Sequence, residues 1–441
     1  MLDRLSSLET FGIKLGLENI SRLCEALGHP ERSFTTLHVA GTNGKGSVTA
    51  MAHAALGAAG LRTARYTSPH LADITERFVV GESAVDMVTF NTVAHEVLDL
   101  ADHLVASGTL RVPPTFFEAT TAIAFELFRR AAVEVAVIEV GLGGRFDATN
   151  VIAPVAGAIT TIAFDHQQHL GSTLGEIAFE KAGIIKPGMI VVAGALPPTA
   201  MEVVRRVASE RGATLVESAT DSRVTVEAAD GAARVTIETP RGHYGPLTLA
   251  LRGDHQIGNA VVATQLLEAA ASKGVQVTAA HIERGLSTAH WPARLEYLQV
   301  DGRRRVLLDS AHNAEGAGAL AAHLRRWHPG GLPLVVGIMR DKDVQDILAP
   351  LLPFTSQVVA TSAPTARALP ADELAVRVRT TAERLGLTDL TVEVDEDPLH
   401  AVDRVLASAD LVCVAGSIFL VGPLRERLLA RAVAAAPPSP R

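Results

Sequence analysis

Short apolar runs alternate along the chain with longer segments in which apolar positions recur at helical spacing. Runs with the length of buried strands occur at 35–40, 63–67, 135–140, 156–162 and 189–192. Segments with helical periodicity occur at 86–105, 115–130, 173–183 and 254–272. Strands that alternate with helices predict an α/β domain with a mostly parallel sheet, whose ligands bind at the carboxyl ends of the strands.

The same alternation starts again after residue 290. Further strands are predicted at 295–300, 304–308, 332–336, 357–361, 390–394 and 411–415, and further helices at 314–326, 343–352, 371–385 and 399–407. We therefore predict a larger α/β domain at 1–290, a smaller α/β domain at 291–433 and a flexible tail at 434–441. Within the first domain, the pattern predicts a β-hairpin at 224–239 that turns at Asp230-Gly231, and a strand at 247–251.

A glycine-rich turn joins the first strand to an alanine-rich helix. Its sequence is Gly41-Thr42-Asn43-Gly44-Lys45-Gly46-Ser47. Backbone N–H groups in such a turn and at the start of the following helix attract anions, and Lys45 adds a positive charge. The strict nucleotide motif requires a glycine where Val39 stands and a hydroxyl residue where Gly46 stands. The turn therefore indicates a phosphate site, and an ordinary strand-to-helix turn remains the alternative at this point.

Composition narrows the classes of protein and of partner. A chain of 441 residues is too long for a single compact core, so two domains are expected. A content of 48% hydrophobic and 20% charged residues is typical of a soluble globular protein. The net charge of -8 argues against a nucleic-acid or membrane surface as the main partner. Two distant cysteines, Cys24 and Cys413, argue against a disulfide scaffold. With no apparent signal segment and no long apolar run, we expect a cytoplasmic protein.

Polar residues follow three further strands of the first domain. Ser68 follows the second strand, Glu139 lies near the end of the apolar run at 135–140, and Asp165-His166 follow the run at 156–162. Because parallel strands end at one edge of the sheet, we expect these residues to lie near the glycine-rich turn. The alternative for Glu139 is that it caps a neighbouring helix, and the alternative for His166 is a helix cap or a core histidine.

These segments together resemble folylpolyglutamate synthases and bifunctional dihydrofolate synthase/folylpolyglutamate synthases of the Mur ligase superfamily. The resemblance runs almost from end to end, and its main carriers lie at 41–47, 67–71, 139–150, 180–184, 291–296 and 309–313. It implies that 1–290 is a P-loop ATPase-type domain with a mostly parallel sheet and that 291–433 is a smaller Rossmann-like α/β domain. It also implies an ATP-dependent amide ligation in which L-glutamate joins dihydropteroate or a folate through an acyl phosphate. The implied partners are therefore small molecules, and we expect a monomer.

The resemblance also implies roles for individual residues. Nucleotide-binding residues would be Thr42, Asn43, Gly44, Lys45, Gly46, Ser47, Asn259, Arg294 and Asp309. Magnesium, with two ions expected, would be held by Ser68, Glu139, His166 and Lys181, the last as a carbamate. His312 and Ser417 would receive the incoming glutamate, and Lys45, Lys181 and His312 would be the catalytic residues. Ser310 and Ala293 depart from the family pattern, in which glycine is common at both positions.

Three alternatives remain open from the sequence. Muramyl-peptide ligases of the same superfamily usually carry an additional N-terminal domain, whereas the first strand here begins at residue 35. A switch-type GTPase could own the phosphate loop, but its Asn-Lys-x-Asp sequence is absent. A non-catalytic nucleotide-binding protein would retain ATP affinity without ligation. Lys181 could also be an unmodified lysine in a salt bridge with Glu180 or another acid.

Overall fold

A computed structural model describes residues 1–8, 16–229 and 232–435 of the chain. It divides into two compact units. The first consists of Met1–Glu227, Arg234–Ala250 and Gln256–His290, and the second of Ala228–Ala233, Leu251–His255 and Trp291–Arg441. The predicted hairpin turn at Asp230-Gly231 and the predicted tail from residue 436 onward lie outside the described residues.

An eight-stranded sheet forms the centre of the first unit. Its strands are β1 (Thr35–Ala40), β2 (Thr63–Tyr66), β3 (Phe78–Val80), β4 (Ser83–Ala84), β5 (Val135–Glu139), β6 (Ala156–Ile159), β7 (Ile190–Ala193) and β8 (Thr214–Glu217). The order is β4-β3-β2-β5-β1-β6-β7-β8, parallel from β2 to β8 and antiparallel at β3 and β4. Because β1 lies between β5 and β6, the segments that follow these three strands share one edge of the sheet.

Ten α-helices are described along the chain as far as residue 288. They are α1 (Leu2–Ser7), α2 (Glu18–Ala26), α3 (Lys45–Ala58), α4 (Met87–Ala106), α5 (Phe116–Arg130), α6 (Gln167–Leu170), α7 (Leu174–Ala182), α8 (Pro198–Glu210), α9 (His255–Ser272) and α10 (Ala279–Thr288). Helices α5 and α7 begin with capping boxes, in which the first threonine and a glutamate three residues later satisfy each other's backbone N–H groups. Strand β5 is buried along its whole length, as expected for a parallel strand covered on both faces.

Three further strands form a separate small sheet. They are β9 (Arg223–Ala229), β10 (Ala232–Thr239) and β11 (Gly242–Thr248), in the order β11-β10-β9. Two adjacent strands were expected here, and both are present. The strand predicted at 247–251 is wrong in its bounds, because β11 ends at Thr248 and the buried Leu249 and Leu251 continue without strand structure.

The second unit contains a six-stranded sheet in the order β12-β13-β17-β14-β15-β16. The strands are β12 (Glu296–Gln299), β13 (Arg305–Leu308), β14 (Leu332–Val336), β15 (Thr355–Ala360), β16 (Thr391–Val394) and β17 (Leu411–Ala415). Its helices are α11 (Ala314–Trp327), α12 (Val344–Leu351), α13 (Ala371–Arg384), α14 (Pro398–Leu406) and α15 (Ile418–Ala435). Only β12 pairs in the antiparallel sense, so the predicted α/β class is confirmed for both units.

Candidate active site

The glycine-rich turn leaves β1 and leads directly into α3, whose first residue is Lys45. Gly44 has a φ of 83°, in the left-handed region, and its side-chain position is already filled: a Cβ there would lie 2.4 Å from Asn259 Oδ1. A Cβ on Gly41 would lie 1.9 Å from Thr160 Oγ1. Both positions therefore require glycine, and the resulting turn leaves backbone N–H groups at the start of α3 available for an anion.

Two threonines after β6 hold the turn from one side. Thr42 N donates to Thr161 O at 2.8 Å, and Asn43 N donates to Thr161 Oγ1 at 3.1 Å. Thr160 Oγ1 donates to Asn43 O at 2.5 Å. Sequence reasoning assigned no role to Thr160 or Thr161. Their position directly after a strand that neighbours β1 is the signal that could have indicated one.

Two lysines converge on the carbonyl oxygen of Gly41. Lys45 Nζ lies 3.1 Å from Gly41 O and 3.0 Å from Thr42 O, and Lys181 Nζ lies 2.8 Å from Gly41 O. Lys181 is only 4% exposed, and it reaches the turn although more than a hundred residues of sequence separate the two. Unmodified lysine side chains beside a turn of N–H donors attract anions, so this point suits a phosphate group.

Helix α9 also contacts the turn. Gln256 Nε2 donates to Ser47 Oγ at 3.2 Å, and Asn259 Nδ2 donates to Gln256 Oε1 at 2.9 Å. Both amides are buried. The structure thus brings together the predicted nucleotide residues Asn259, Gly44 and Ser47, and it adds Gln256, which sequence reasoning did not assign to the site.

The predicted metal ligands fall into separate contacts. Ser68 N donates to Glu139 Oε2 at 3.2 Å, and Glu139 is buried at the end of β5. His166 follows β6 with a φ of 49°, and its Nε2 lies 3.9 Å from Asp165 Oδ1. Lys181 contacts the turn, as described above. Among the described residues, no group of three or more His, Cys, Asp and Glu side chains could hold a metal ion.

The loop at 141–147 is anchored to β1 by a buried chain of hydrogen bonds. Thr149 Oγ1 donates to Asp147 Oδ1 at 2.5 Å, and Leu142 N donates to Asp147 Oδ2 at 2.8 Å. Because the Thr149 proton is used on the carboxylate, His38 Nε2, 2.9 Å away, must be the donor to Thr149. Burial lowers the pKa of His38 to about 3, so the ring is neutral, and burial raises the pKa of Asp147.

In the second unit, Asp309 follows β13 and accepts two backbone hydrogen bonds. Leu295 N donates to Asp309 Oδ2 and Ala311 N donates to Oδ1, both at 2.9 Å. Burial raises the pKa of Asp309, and the charge of Arg294 opposes that shift. Arg294 Nη1 donates to Ala293 O at 2.9 Å. Arg294 and Asp309, two predicted nucleotide residues, therefore lie close enough for their charges to interact.

The two residues predicted to receive glutamate lie after different strands of the second unit. His312 Nδ1 donates to Ser310 O at 3.0 Å, and Ser417 Oγ accepts from Phe419 N at 3.1 Å. Ala293 has a φ of 56° and is fully buried, which explains why glycine suits this position in the family pattern.

Sequence reasoning also missed the pair that supports this region. Glu296 accepts two hydrogen bonds at 2.8 Å from Arg425 of α15, and it accepts another at 2.8 Å from Ala293 N. Both side chains of the ion pair are largely buried, so the pair fixes the segment around Ala293 to α15. A separation of more than a hundred residues left no local signal for it.

Comparisons with known proteins identify the family of this chain. The family model described as "Mur ligase middle domain" matches residues 39–267, and the one described as "Dihydrofolate synthetase, C-terminal domain" matches residues 293–428. A dihydrofolate synthase/folylpolyglutamate synthase from Mycobacterium tuberculosis is 36% identical over 443 residues, covering 93% of this chain and 89% of the relative.

A solved structure and a longer relative extend the comparison. Mycobacterium tuberculosis folylpolyglutamate synthase complexed with ADP has a TM-score of 0.88 and 33% identity, covering 97% of this chain and 98% of that one. A probable bifunctional folylpolyglutamate synthase/dihydropteroate synthase from Halobacterium salinarum is 35% identical over 96% of this chain. This chain spans 51% of that relative's length.

The family match and the fold place the chain among the ATP-dependent ligases of the Mur ligase superfamily. Within that class, the chain belongs to the dihydrofolate synthase/folylpolyglutamate synthase family. The resemblance stated from the sequence is thereby confirmed. The match at 293–428 favours this family over the muramyl-peptide alternative, and membership also argues against a GTPase.

Proposed function

We propose that the chain joins L-glutamate to dihydropteroate, to the terminal glutamate of a reduced folate, or to both, with ATP as the source of energy. The observation that carries this proposal is the turn at 41–47, with Lys45 and Lys181 both on Gly41 O. That geometry suits the phosphates of a nucleotide, and the family membership supplies the class of reaction.

The ligation proceeds in two steps. A carboxylate oxygen of the folate or pteroate attacks the γ-phosphorus of ATP, the bond to the β-phosphate oxygen breaks, and ADP leaves. The amino group of glutamate then attacks the carbonyl carbon of the acyl phosphate, loses a proton and expels inorganic phosphate. Phosphoryl transfer depends chiefly on positioning and on charge neutralisation, which the N–H groups of the turn and the ammonium of Lys45 supply.

We propose that Ser68, Glu139 and His166 hold a magnesium ion. The backbone N of Ser68 donates to the Glu139 carboxylate, and the two side chains supply a hydroxyl and a carboxylate, the hard oxygen ligands that magnesium prefers. His166 completes the set by analogy with the family, although imidazole usually selects softer metals. Bound there, magnesium would neutralise phosphate charge, and the phosphates themselves would complete its shell.

Lys181 is proposed to carry a carbamate. In that reaction the neutral amine adds CO₂ and releases a proton, which replaces an ammonium with an anion that offers two oxygen ligands. The burial of Lys181 next to the phosphate-binding turn supports the proposal, because an unmodified ammonium there would repel a cation. A second magnesium would use these oxygens.

In the second unit, we assign Arg294 and Asp309 to the nucleotide, and His312 and Ser417 to the incoming glutamate. Asp309, His312 and Ser417 follow strands of an α/β sheet, where ligands bind, and Arg294 precedes β12 and interacts electrostatically with Asp309. On this proposal, 1–290 serves as the ATP-binding domain and 291–433 as the glutamate-ligase domain. His312 and the two lysines would be the catalytic residues.

We further propose a monomer that acts in the cytoplasm on small molecules. Both cysteines are buried free thiols, which fits a reducing compartment, and the charge of -8 disfavours nucleic acid as a partner. Over the described parts of the chain, no helix is both long and apolar enough to span a membrane.

The decisive assay offers dihydropteroate and tetrahydrofolate separately, each with ATP, magnesium and L-glutamate. We expect phosphate release with at least one of them, and only when glutamate is also present. If only dihydropteroate supports phosphate release, the activity is that of a dihydrofolate synthase. If only tetrahydrofolate supports it, the activity is that of a folylpolyglutamate synthase. Equal phosphate release without either acceptor would contradict the proposal, and Lys45→Met serves as the inactive control.

A further inference from the structure

The loop at 141–147 packs closely against the end of α7. A Cβ on Gly144 would lie 2.8 Å from both Glu180 O and Lys181 O, and a Cβ on Gly183 would lie 2.3 Å from Arg145 Cβ. Neither glycine could be replaced without moving backbone. The last turn of α7, which carries Lys181, is therefore in direct contact with this loop.

Arg145 makes the specific contacts across this junction. Its Nη2 donates to Glu180 Oε1 at 2.6 Å, its Nε lies 3.3 Å from Oε2, and its backbone N donates to Glu180 O at 2.8 Å. Asn150 Nδ2 donates to Arg145 O at 3.0 Å and to Gly183 O at 3.2 Å. Side chains and backbone thus join the loop and the helix end at several points.

Two aromatic rings restrict the orientation of the Arg145 guanidinium. Its Cζ lies 4.2 Å from the centre of the Phe146 ring and 5.1 Å from that of Phe179. A planar guanidinium between aromatic rings keeps one orientation, so its paired N–H groups stay directed at the Glu180 carboxylate. A lysine would supply the charge without this directional fork.

Glu180 and Lys181 are neighbours on α7 that project in different directions. Successive residues of a helix are rotated by about 100°. Glu180 meets Arg145 at a partly exposed position, whereas Lys181 is buried with its Nζ 2.8 Å from Gly41 O. Fixing the Glu180 side chain therefore fixes the rotation of the helix end that places Lys181 at the phosphate-binding turn.

We infer that Arg145 is a positioning residue: through its ion pair with Glu180 it holds the last turn of α7 in the rotation that sets Lys181 against Gly41 O. This inference rests on the proposed function for its effect on catalysis, and on the contacts alone for its effect on Lys181. Displacing a catalytic group by about 1 Å can cost about 100-fold in rate.

The test uses charge reversal on the full chain. Arg145→Glu and Glu180→Arg each place like charges together, and the double variant restores a pair of opposite charge. We expect each single variant to lower kcat by about 100-fold while KM for glutamate and for the folate changes by less than about twofold. The double variant should recover at least about tenfold of the lost kcat, as expected for coupled neighbours.

Arg205→Glu is the matched control. Arg205 of α8 and Glu217 of β8 form an ion pair in the same unit, with two contacts at 2.6 Å, and this pair joins α8 to β8 rather than to α7. Arg205→Glu therefore breaks a comparable pair and should leave kcat unchanged. A similar loss of kcat in Arg205→Glu would attribute the effect to general destabilisation and overturn the inference.

A second readout does not depend on ligation. Amine labelling of the folded protein in CO₂-depleted buffer, followed by mass spectrometry, compares Lys181 with the solvent-exposed Lys273 as an internal reference. We expect labelling of Lys181 to rise at least about tenfold in Arg145→Glu and to return toward the wild-type value in the double variant. Unchanged labelling in the single variants, or no recovery in the double variant, would overturn the inference. Wild-type protein that fails to ligate would refute only the proposed function, because labelling still tests the position of Lys181.

Discussion

Replacing Gly44 by alanine tests whether the phosphate-binding turn is built as described. The residue has a φ of 83°, and an alanine in the left-handed region costs about 1 kcal/mol. The new Cβ would also lie 2.4 Å from Asn259 Oδ1 and 3.2 Å from its Cγ, so the amide must move. That movement breaks the hydrogen bond from Asn259 to Gln256, which is worth about 1 kcal/mol.

We therefore expect Gly44→Ala to lower the free energy of unfolding by about 2 kcal/mol or more. Gly188→Ala provides the matched control, because Gly188 has a φ of 69° and no atom lies within 4 Å of its Cβ position. The control should lose only the conformational part, about 1 kcal/mol. Both values come from urea unfolding followed by circular dichroism.

A double-mutant cycle separates the two parts of the cost. In an Asn259→Ala background the amide is gone, so Gly44→Ala should cost no more than Gly188→Ala does in the wild type. Two results would contradict a clash between the new Cβ and Asn259. One is a Gly44→Ala variant that is no less stable than Gly188→Ala, and the other is a loss of unfolding free energy on Gly44→Ala that is the same in the Asn259→Ala background.

Three further predictions concern other positions. Ala293→Gly should raise the free energy of unfolding by about 1 kcal/mol in urea titrations, because it relieves a φ of 56°, and a destabilised variant would contradict that explanation. Lys45→Met should lower kcat by at least about 100-fold in the phosphate-release assay while its unfolding midpoint stays near wild type; near-normal turnover would exclude a role on the phosphates. Burial lowers the pKa of His53 to about 4, so its neutral form stabilises the fold above pH 6.5 and that stability is lost as the pH falls toward 4. His53→Gln should flatten this part of the stability profile by up to about 3 kcal/mol, and an unchanged slope between pH 6.5 and 4 would show that other groups cause it.

Much of the fold follows from local sequence. The apolar runs at 332–336 and 411–415 match β14 and β17 to the residue, because buried parallel strands are apolar on both faces. Helix α7 was recognisable between Thr173 and Gly183, since its capping box and its terminal glycine are local features. Edge and surface elements carry weaker signals, and no element was assigned to α8, β8, α10 or α15.

The candidate site was only partly accessible from the sequence. The turn at 41–47 and the strand ends at Ser68 and Glu139 could be predicted, because topology alone brings such ends to one edge of the sheet. Glycine at position 44 could be recognised, but its contact with Asn259 could not, since more than two hundred residues separate them. The partners of Thr160, Arg145 and Arg425 are also distant in sequence, so these contacts could not be predicted before the fold was known.

The proposed ATP-dependent ligation of glutamate is tested most directly by following ATP consumption and the folate product in the same reaction. Purified protein is given ATP, magnesium, L-glutamate and a pteroate or folate acceptor, and each component is omitted in turn. We expect one phosphate to be released for each acceptor molecule that gains a glutamate. The glutamylated acceptor is detected by mass spectrometry, and no such product should form when any component is missing. Phosphate release that continues without glutamate or acceptor, or a complete mixture that yields no glutamylated product, would contradict it.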